Sequence, residues 1–523
     1  MANPSAVVSK GAGAEAHAGA RAANAAMTAL TRTLHALPRP APGRAPGSAP
    51  ERPPRSPGRP LSCATARRRD AMGFERAALG EEIRAMVRLA APVVAVQLGL
   101  VAMGVVDTMM LGRYSAAALA AGGLGNSIGF GLLVFPMGLL MAVDPLIAQA
   151  YGAGDRSALS RRFRRALALA AVLAVPVSLA MWDARPLLRR LGQDPAVIAG
   201  CSDYLRALIP GNAAFLWFVV VRQSLQATGR VRPALTAVLS GNAVNVLANW
   251  VLIFGRLGFP ALGVTGSAAA TALSRWVSLV VLIADARRPL AAFWDRTPAW
   301  LRRWSSYRTI LAVGIPIGIH VTLEVWMFTG ATLIVGMVGP IALAGHQIAL
   351  NMAALTFMVP WGISGAAAAR VGQAIGRGDM AAARRAAAVA MGLGTAVMTV
   401  SAAAFLSFPL GLARAYTPDA EVIRVAVGLL PIAGLFQVAD GLQAVAGGVL
   451  RGAADTRIPA VLALLGYWLV GLPAGYYLTF PAGMGARGMW VGLSLGLGSA
   501  AILLTLRVIA RMRGTIAPVT DPA

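Results

Sequence analysis

Long apolar stretches separated by short polar connections recur along the chain from residue 86 to residue 510. Many of these stretches contain about 20 residues, the length that an α-helix needs to cross a bilayer. The pattern therefore predicts twelve transmembrane helices. Their expected spans are 86–111, 117–148, 164–182, 204–228, 233–254, 262–285, 308–336, 342–370, 383–408, 424–449, 457–479 and 486–510.

A seven-residue phrase occurs twice in the chain, 224 residues apart, as QAYGAGD at 149–155 and as QAIGRGD at 373–379. The same offset pairs Pro92 with Pro316, so one register holds over a long segment. The chain is therefore a duplicated unit of six helices followed by six more. Because each half contains an even number of helices, both copies have the same topology and are related by an axis along the membrane normal.

This duplication predicts an all-α integral membrane fold in which the twelve helices form two pseudo-symmetric six-helix bundles. The bundles are expected at residues 81–285 and 308–512. A linker with several arginines, residues 286–307, joins them, and a short tail, residues 513–523, follows the second bundle.

The N-terminal segment, residues 1–80, has a different composition from the rest of the chain. It is rich in Ala, Pro, Arg and Gly and lacks an apolar period, so we expect it to be disordered. Its Arg-rich, acid-poor start is a weak sign of a transit peptide. Alternatively, translation starts at Met72 and the tail is not made.

The charge pattern supports a membrane protein rather than a nucleic-acid binder. The hydrophobic fraction is 57%, the mean hydropathy is +0.65, and only 13% of the residues are charged, against about 25% in soluble domains. The net charge of +26 comes from arginines in the N-terminal tail and in the connections between apolar stretches. The positive-inside rule then places both termini in the cytoplasm and the protein in the plasma (inner) membrane.

Three carboxylates fall inside the predicted spans: Asp107, Glu324 and Asp440. An ionised group at the bilayer centre costs at least about 2.5–3.5 kcal/mol, so such residues are expected to couple cations. The alternative is a buried structural ion pair, for which Arg222 and Arg275 are candidate partners.

Further polar residues could line a substrate or ion pathway. Asn245 and Asn249 are four residues apart on one helix face and offer both carbonyl oxygens and amide donors. Thr271 adds a hydroxyl, and His320 lies one turn before Glu324. For these residues, hydrogen bonds between helices, or to the residue's own helix backbone, are the alternative interpretation.

Asp144 and Arg370 lie near matching helix ends in the two halves. They are expected either to form a gate as an ion pair between the halves or to be solvated at the helix ends. Cys63 and Cys201 stand alone and form no metal or redox motif.

Several phrases in their order along the chain resemble the multidrug and toxic compound extrusion (MATE) family of cation-coupled antiporters, and its NorM-like branch in particular. The resemblance implies a cation site, which Na⁺ could occupy, at Glu324 and Asp440. It also places Asp107 beside Asn245 and Asn249; some relatives have Asp on that helix, and the Asn here weakens a second sodium site. The phrases are 106–112, 148–155, 249–255, 370–379 and 450–459.

The resemblance implies a multidrug efflux antiporter that exports organic, mostly cationic or amphipathic compounds in exchange for Na⁺ or H⁺ by alternating access. We expect a monomer that uses no cofactor beyond the coupling ion and catalyses no reaction. The Gly-x-x-x-x-Gly-Lys-Ser/Thr phosphate-binding motif is absent from the sequence, which argues against a primary pump. The alternatives are a lipid-linked precursor flippase of the same superfamily and, from another class, an integral membrane enzyme.

Overall fold

The computed structural model describes residues 61–190, 195–294 and 304–521 of the 523-residue chain. Most of the described residues are helical, and eleven helices within these ranges are long and apolar enough to cross a membrane. A bent pair, Val197–Leu208 and Pro210–Ala227, has an angle of 52° and forms a twelfth span. The predicted all-α fold with twelve spans in two bundles is therefore confirmed.

The helices are numbered here in chain order. The first six spans, which we call the N-half, comprise α1 (Leu61–Tyr114), α2 (Ala116–Leu140), α3 (Val143–Gly152), α4 (Arg156–Trp182), α5 (Arg185–Arg190), α6 (Pro195–Leu208), α7 (Pro210–Ala227), α8 (Arg232–Phe254) and α9 (Gly263–Asp285). The short helix α10 (Arg287–Leu290) lies in the linker. The last six spans, the C-half, comprise α11 (Arg308–Gly336), α12 (Pro340–Gly376), α13 (Met380–Ser407), α14 (Pro409–Arg414), α15 (Ala420–Gly452), α16 (Arg457–Ala463), a π-helical segment (Leu464–Gly471), α17 (Leu472–Thr479) and α18 (Ala486–Arg513).

The first helix starts earlier than the apolar pattern predicted. α1 begins at Leu61, so residues 61–80 are helical although their composition predicted disorder. Ala and Arg, which have high helix propensity, dominate this segment and allow the first span to extend at its N-terminus. Residues 1–60, which make up the rest of the predicted tail, and 295–303 of the predicted linker lie outside the described residues.

The second span is interrupted between α2 and α3. Pro145 has no N–H and cannot donate to the carbonyl oxygen one turn before it, that of Met141. That carbonyl accepts a hydrogen bond from the N–H of Asp144 instead, at 3.1 Å. The tightened turn places the Asp144 side chain in the interior of the protein, where it is fully buried.

The repeated phrase forms the same turn in both halves. Gly154 and Gly378 have φ values of +72° and +74°, a conformation that favours glycine. The next residue of each copy, Asp155 or Asp379, is the N-cap of α4 or α13. It accepts the N–H of the residue three positions later, at 2.8 Å and 2.9 Å respectively. The shared Gly-Asp dipeptide therefore encodes a left-handed turn followed by a helix cap.

The first residues of the repeated phrase hold the two halves together. The Gln149 amide donates to the carbonyl oxygen of Gly452 in the C-half at 3.0 Å. The equivalent Gln373 amide donates to the carbonyl oxygen of Ala227 in the N-half at 2.8 Å. These reciprocal bonds join the phrase in each half to the end of a helix in the other.

Two glycines of the repeated phrase permit this close approach. A Cβ atom on Gly152 would clash with the carbonyl oxygen of Gln373, and a Cβ atom on Gly376 would clash with the carbonyl oxygen of Gln149. The two phrases therefore cross each other with backbone against backbone.

The halves meet at the end of the bundle where arginines are concentrated, which we call the arginine-rich end. It comprises the described connections 152–156, 227–232, 285–294, 304–308, 376–380 and 452–457. Buried apolar side chains of α1, including Met86 and Val93, belong to one cluster with Val449 and Val508 of the C-half. The N-terminal part of α1 is thus packed against the opposite half.

The C-terminal segment after α18 crosses from the C-half to the N-half. The backbone of Val519 donates to the Gln149 side chain at 2.8 Å and accepts from Arg162 at 2.6 Å. The carboxylate of Asp521 forms ion pairs with Arg162 at 3.2 Å and Arg165 at 3.6 Å. Gln149 therefore contacts both the C-half and this segment.

Replacing Gly376 by Val should hold the halves apart at the arginine-rich end. We expect the overpacked contact to cost about 1–3 kcal/mol, which shifts the population toward a state that is open there. Electron–electron resonance between spin labels at positions 156 and 377 measures the separation. Gly131→Val is the control, because a Cβ atom on Gly131 meets no neighbour within 4 Å; equal distance distributions in both variants would contradict the prediction.

Replacing Asp521 by Asn should lower stability because two buried arginines lose their carboxylate partner. A hydrogen bond to a charged group contributes about 1.5–3 kcal/mol, so a clear decrease in the thermal unfolding midpoint in detergent is expected. Asp203→Asn is the control, since Asp203 forms a solvent-exposed pair with Arg185. The prediction is wrong if the two variants unfold at the same temperature.

Candidate functional site

The carboxylate of Asp107 is buried in the N-half and is held by uncharged hydrogen-bond donors. Its Oδ1 accepts from the side-chain amides of Asn245 at 3.0 Å and Asn249 at 2.6 Å. Its Oδ2 accepts from the hydroxyl of Thr271 at 2.7 Å. Helices α1, α8 and α9 thus bring together the four residues that the sequence assigned to cation coupling and the pathway in this half.

In Asn245 and Asn249, the amide nitrogens donate to Asp107 but the amide oxygens are left without a donor in the part of the chain that the structure describes. The carbonyl oxygens of Asn245 and Asn249 are buried and have no hydrogen-bond partner among the described residues. Two amide oxygens beside a carboxylate form a donor set of the kind that hard cations prefer.

Neither of the two arginines considered as ion-pair partners forms a salt bridge with Asp107. Arg275 donates to the Asn212 side chain at 3.2 Å and stacks over the ring of Phe215 at 4.9 Å. Arg222 donates to Gln97 at 3.4 Å. The ion pairs within 4 Å that the described residues form include none with Asp107, Glu324 or Asp440.

The other two membrane carboxylates share a single amide in the C-half. The Gln443 side chain donates to Glu324 Oε1 at 2.9 Å and to Asp440 Oδ1 at 3.3 Å. All three side chains are buried. Glu324 lies on α11, while Asp440 and Gln443 are three residues apart on one face of α15, so the two helices face each other across this site.

The π-helical segment of the eleventh span contributes two aromatic side chains to this site. The Tyr467 hydroxyl donates to Gln443 Oε1 at 2.8 Å. The next residue, Trp468, donates its indole N–H at 3.2 Å to the carbonyl oxygen of Leu323, which directly precedes Glu324. π-Helical turns within α-helices are frequent at functional sites.

A cavity connects this site with the arginine-rich end. It begins at His320 and Glu324 and extends past Gln443 to Arg451 and Asp455. His320 therefore faces the same space as Glu324, as its spacing of four residues predicted. Its ring centroid lies 6.3 Å from that of Tyr467.

The side chains of the C-half site can supply oxygen ligands but form no dense metal centre. Within the described residues, no three His, Cys, Asp or Glu side chains are grouped so that they could hold a metal ion. A transported Na⁺ ion near Glu324 and Asp440 would therefore need oxygens from other groups.

Asp144 and Arg370 do not pair with each other, and each forms an ion pair with a different residue of the opposite half. Asp144 pairs with Arg451 of the C-half at 3.7 Å, and both side chains are buried. Arg370 of the C-half donates to both oxygens of Glu82 on α1, at 3.0 Å and 2.6 Å. Because the halves cross at the repeated phrases, Asp144 and Arg370 each pair with a residue of the opposite half other than each other.

Several residues of the site were not singled out from the sequence. Gln443 had a usable signal, because it is polar, lies inside a span and follows Asp440 by three residues. Tyr467 and Trp468 had none, since aromatic residues are common in transmembrane helices and the π-helical register is not visible in an apolar segment. Glu82 lay at the border of a segment that the composition assigned to the tail.

Twelve spans in two halves of one topology, with buried carboxylates in each half that have no basic partner within 4 Å among the described residues, define a secondary membrane transporter. The chain matches the family model described as MatE over residues 92–251 and 316–477, once in each half. The chain therefore belongs to the MATE family, as its sequence phrases indicated.

Curated relatives match over most of the chain. The chain is 38% identical over 450 residues to a protein of Mesorhizobium japonicum described as "Probable multidrug resistance protein NorM", covering 84% of this chain and 95% of that protein. It is 34% identical over 435 residues to "Multidrug resistance protein MdtK" of Edwardsiella ictaluri, covering 82% and 95%.

Solved structures share the fold at low sequence identity. The crystal structure of the eukaryotic MATE transporter AtDTX14 superposes with a TM-score of 0.74 at 23% identity, covering 83% of this chain and 99% of that one. An outward-facing multidrug resistance MATE family transporter gives a TM-score of 0.76 at 21% identity, covering 82% and 96%.

Replacing Glu82 by Gln should weaken closure at the arginine-rich end, because the carboxylate charge that pairs with Arg370 is removed. For a partly exposed pair we expect a loss of about 1 kcal/mol, roughly a fivefold change in the population of closed molecules. The spin-label pair at positions 156 and 377 reports this change.

Glu81→Gln is the matched control for this experiment, because Glu81 is exposed while its neighbour Glu82 is buried. If both variants give the wild-type distance distribution, the pair does not contribute to closure.

Proposed function

We propose that the protein is a multidrug efflux antiporter that exports organic, mostly cationic or amphipathic compounds in exchange for Na⁺ or H⁺. The observation that carries the proposal is the environment of the three membrane carboxylates. Asp107, Glu324 and Asp440 are buried and accept hydrogen bonds from uncharged groups only, without a basic partner within 4 Å among the described residues. A carboxylate kept in this way at membrane depth can take up a cation, whereas a structural ion pair could not.

The relatives support this proposal through their descriptions as multidrug resistance proteins. In our scheme the coupling ion and a cationic substrate compete for the same buried charge, so that binding of one promotes release of the other. Each ligand shifts the balance between inward- and outward-open states only by its difference in affinity for the two. In the N-half the acidic group is Asp107, and in the C-half it is the pair of Glu324 and Asp440.

The contacts between the halves support alternating access. Four of the contacts between the halves lie toward the arginine-rich end. They are the hydrogen bonds from the Gln149 and Gln373 side-chain amides and the Glu82–Arg370 and Asp144–Arg451 ion pairs. We place this end in the cytoplasm by the positive-inside rule, with both termini inside and the protein in the plasma (inner) membrane. Breaking these contacts would open a path from the cytoplasm, and forming them would close it.

The proposal assigns no reaction chemistry and no resident cofactor to the protein, and it takes the monomer as the transporting unit. The asparagines and Thr271 position Asp107, and His320 lies along the pathway to Glu324.

The test of the proposal is efflux of a fluorescent organic cation from proteoliposomes under an imposed sodium or pH gradient. We expect Glu324→Gln, Asp440→Asn and Asp107→Asn each to reduce gradient-driven efflux at least about tenfold, which corresponds to roughly 1.4 kcal/mol of lost cation binding. Removing the carboxylate charge leaves the cation without its strongest ligand.

Glu421→Gln and Asp203→Asn provide matched controls, since both acids are exposed. Efflux that is equal in wild type and all three membrane variants would refute the assigned roles. Chemical turnover of the compound without coupled ion flux would refute the transporter function itself.

A further inference from the structure

The Gln443 amide has a fixed orientation in this structure. Its NH₂ group donates to two carboxylate oxygens, those of Glu324 and Asp440, and its oxygen accepts a hydrogen bond from the Tyr467 hydroxyl. The assignment is chemically consistent, because an ionised carboxylate can only accept hydrogen bonds and an amide oxygen cannot donate.

This orientation has a consequence for the ion that the carboxylate pair can bind. With the amide protons directed at the two carboxylates, the partial positive charge of the amide lies where a metal cation would bind. A metal ion would be better served by the amide oxygen, which is a hard ligand. A proton, in contrast, binds directly to a carboxylate oxygen and needs no further ligand.

Reversing the amide would present its oxygen to the carboxylate pair, but the reversal is opposed by Tyr467. This side chain is fully buried, and its hydroxyl makes one hydrogen bond among the described residues, to Gln443. After reversal, the NH₂ group would face the hydroxyl, and the hydroxyl proton would lose its acceptor. A buried donor without a partner is costly, so the tyrosine favours the orientation with the NH₂ group toward the carboxylates.

The π-helical segment keeps Tyr467 in place. The neighbouring Trp468 is anchored to the backbone of α11 at Leu323, one residue before Glu324. Close approach of Gly466 and Gly471 to the backbone of Gly496 on α18 holds the other side of the segment. The tyrosine is therefore positioned from two neighbouring helices rather than by its hydroxyl alone.

We propose that Tyr467 is a positioning residue that sets the ion selectivity of the Glu324–Asp440 pair by fixing which end of the Gln443 amide faces it. This inference rests on the proposed function, in which the pair takes the coupling ion. It adds that the hydroxyl disfavours sodium relative to a proton and that it does so through the amide.

The experiment removes the hydroxyl and leaves the ring. In Tyr467→Phe both orientations of the amide lack one partner on that side, so the tyrosine's contribution to the preference for the NH₂ group toward the carboxylates is lost, and the bonds to Glu324 and Asp440 alone maintain it. We expect the sodium concentration for half-maximal efflux to fall roughly 3- to 10-fold, the effect of one uncharged hydrogen bond. Equilibrium binding of radioactive sodium to the purified protein should tighten by the same factor, which separates binding from transport.

Two further variants distinguish this role from a purely structural one. Tyr477→Phe removes an exposed hydroxyl on α17 and should leave sodium dependence unchanged. Gln443→Met removes the amide while keeping a side chain of similar size. In that background Tyr467→Phe should have no additional effect on sodium binding.

The outcomes separate the two proposals. An unchanged or weaker sodium affinity in Tyr467→Phe, or an equal shift in the Gln443→Met background, would overturn the role of the tyrosine. If wild type binds no sodium, the tyrosine variant should acquire measurable binding. Failure of the proposed function is recognised independently, because efflux would then be insensitive to Glu324→Gln and Asp440→Asn.

Discussion

The cost of an ionised carboxylate inside a membrane is the constraint on which the other features of this structure depend. Asp107, Glu324 and Asp440 meet this cost through uncharged donors instead of through arginines. Neutral donors stabilise the charge without cancelling it, so the carboxylates keep their attraction for a cation. The helices that carry the donors, α8 and α9 in one half and α15 with the π-helical segment in the other, must therefore lie close to the acids.

The two sites use the amide group in different ways. In the N-half, two asparagine amides converge on one carboxylate, and both of their oxygens have no hydrogen-bond partner among the described residues. In the C-half, one glutamine amide serves two carboxylates, and its oxygen is held by Tyr467. The duplication thus built two similar bundles whose sites differ in the ratio of acids to amides.

The arginine-rich end shows what the repeated phrase contributes to the fold. Each copy supplies a left-handed glycine, a helix cap, an amide that reaches the other half, and a glycine that permits close contact. The first two functions are local to each half. The last two join the halves. The C-terminal segment adds an asymmetry. In the N-half copy, the Gln149 side chain also accepts the backbone N–H of Val519.

The sequence alone determined the twelve spans, the duplication and the three membrane acids, because apolar length and the cost of buried charge are properties of each segment by itself. It also grouped Asp107 with Asn245 and Asn249, since that grouping followed from the family resemblance. Only the tertiary structure decided the partners across helices: Gln443 and Tyr467 at the carboxylate pair, Glu82 for Arg370, and Arg451 for Asp144. These pairings depend on how the helices cross and on a local π-helical register. Neither is fixed by hydrophobic period, because a helix in a membrane can rotate or shift its register without changing its apolar length.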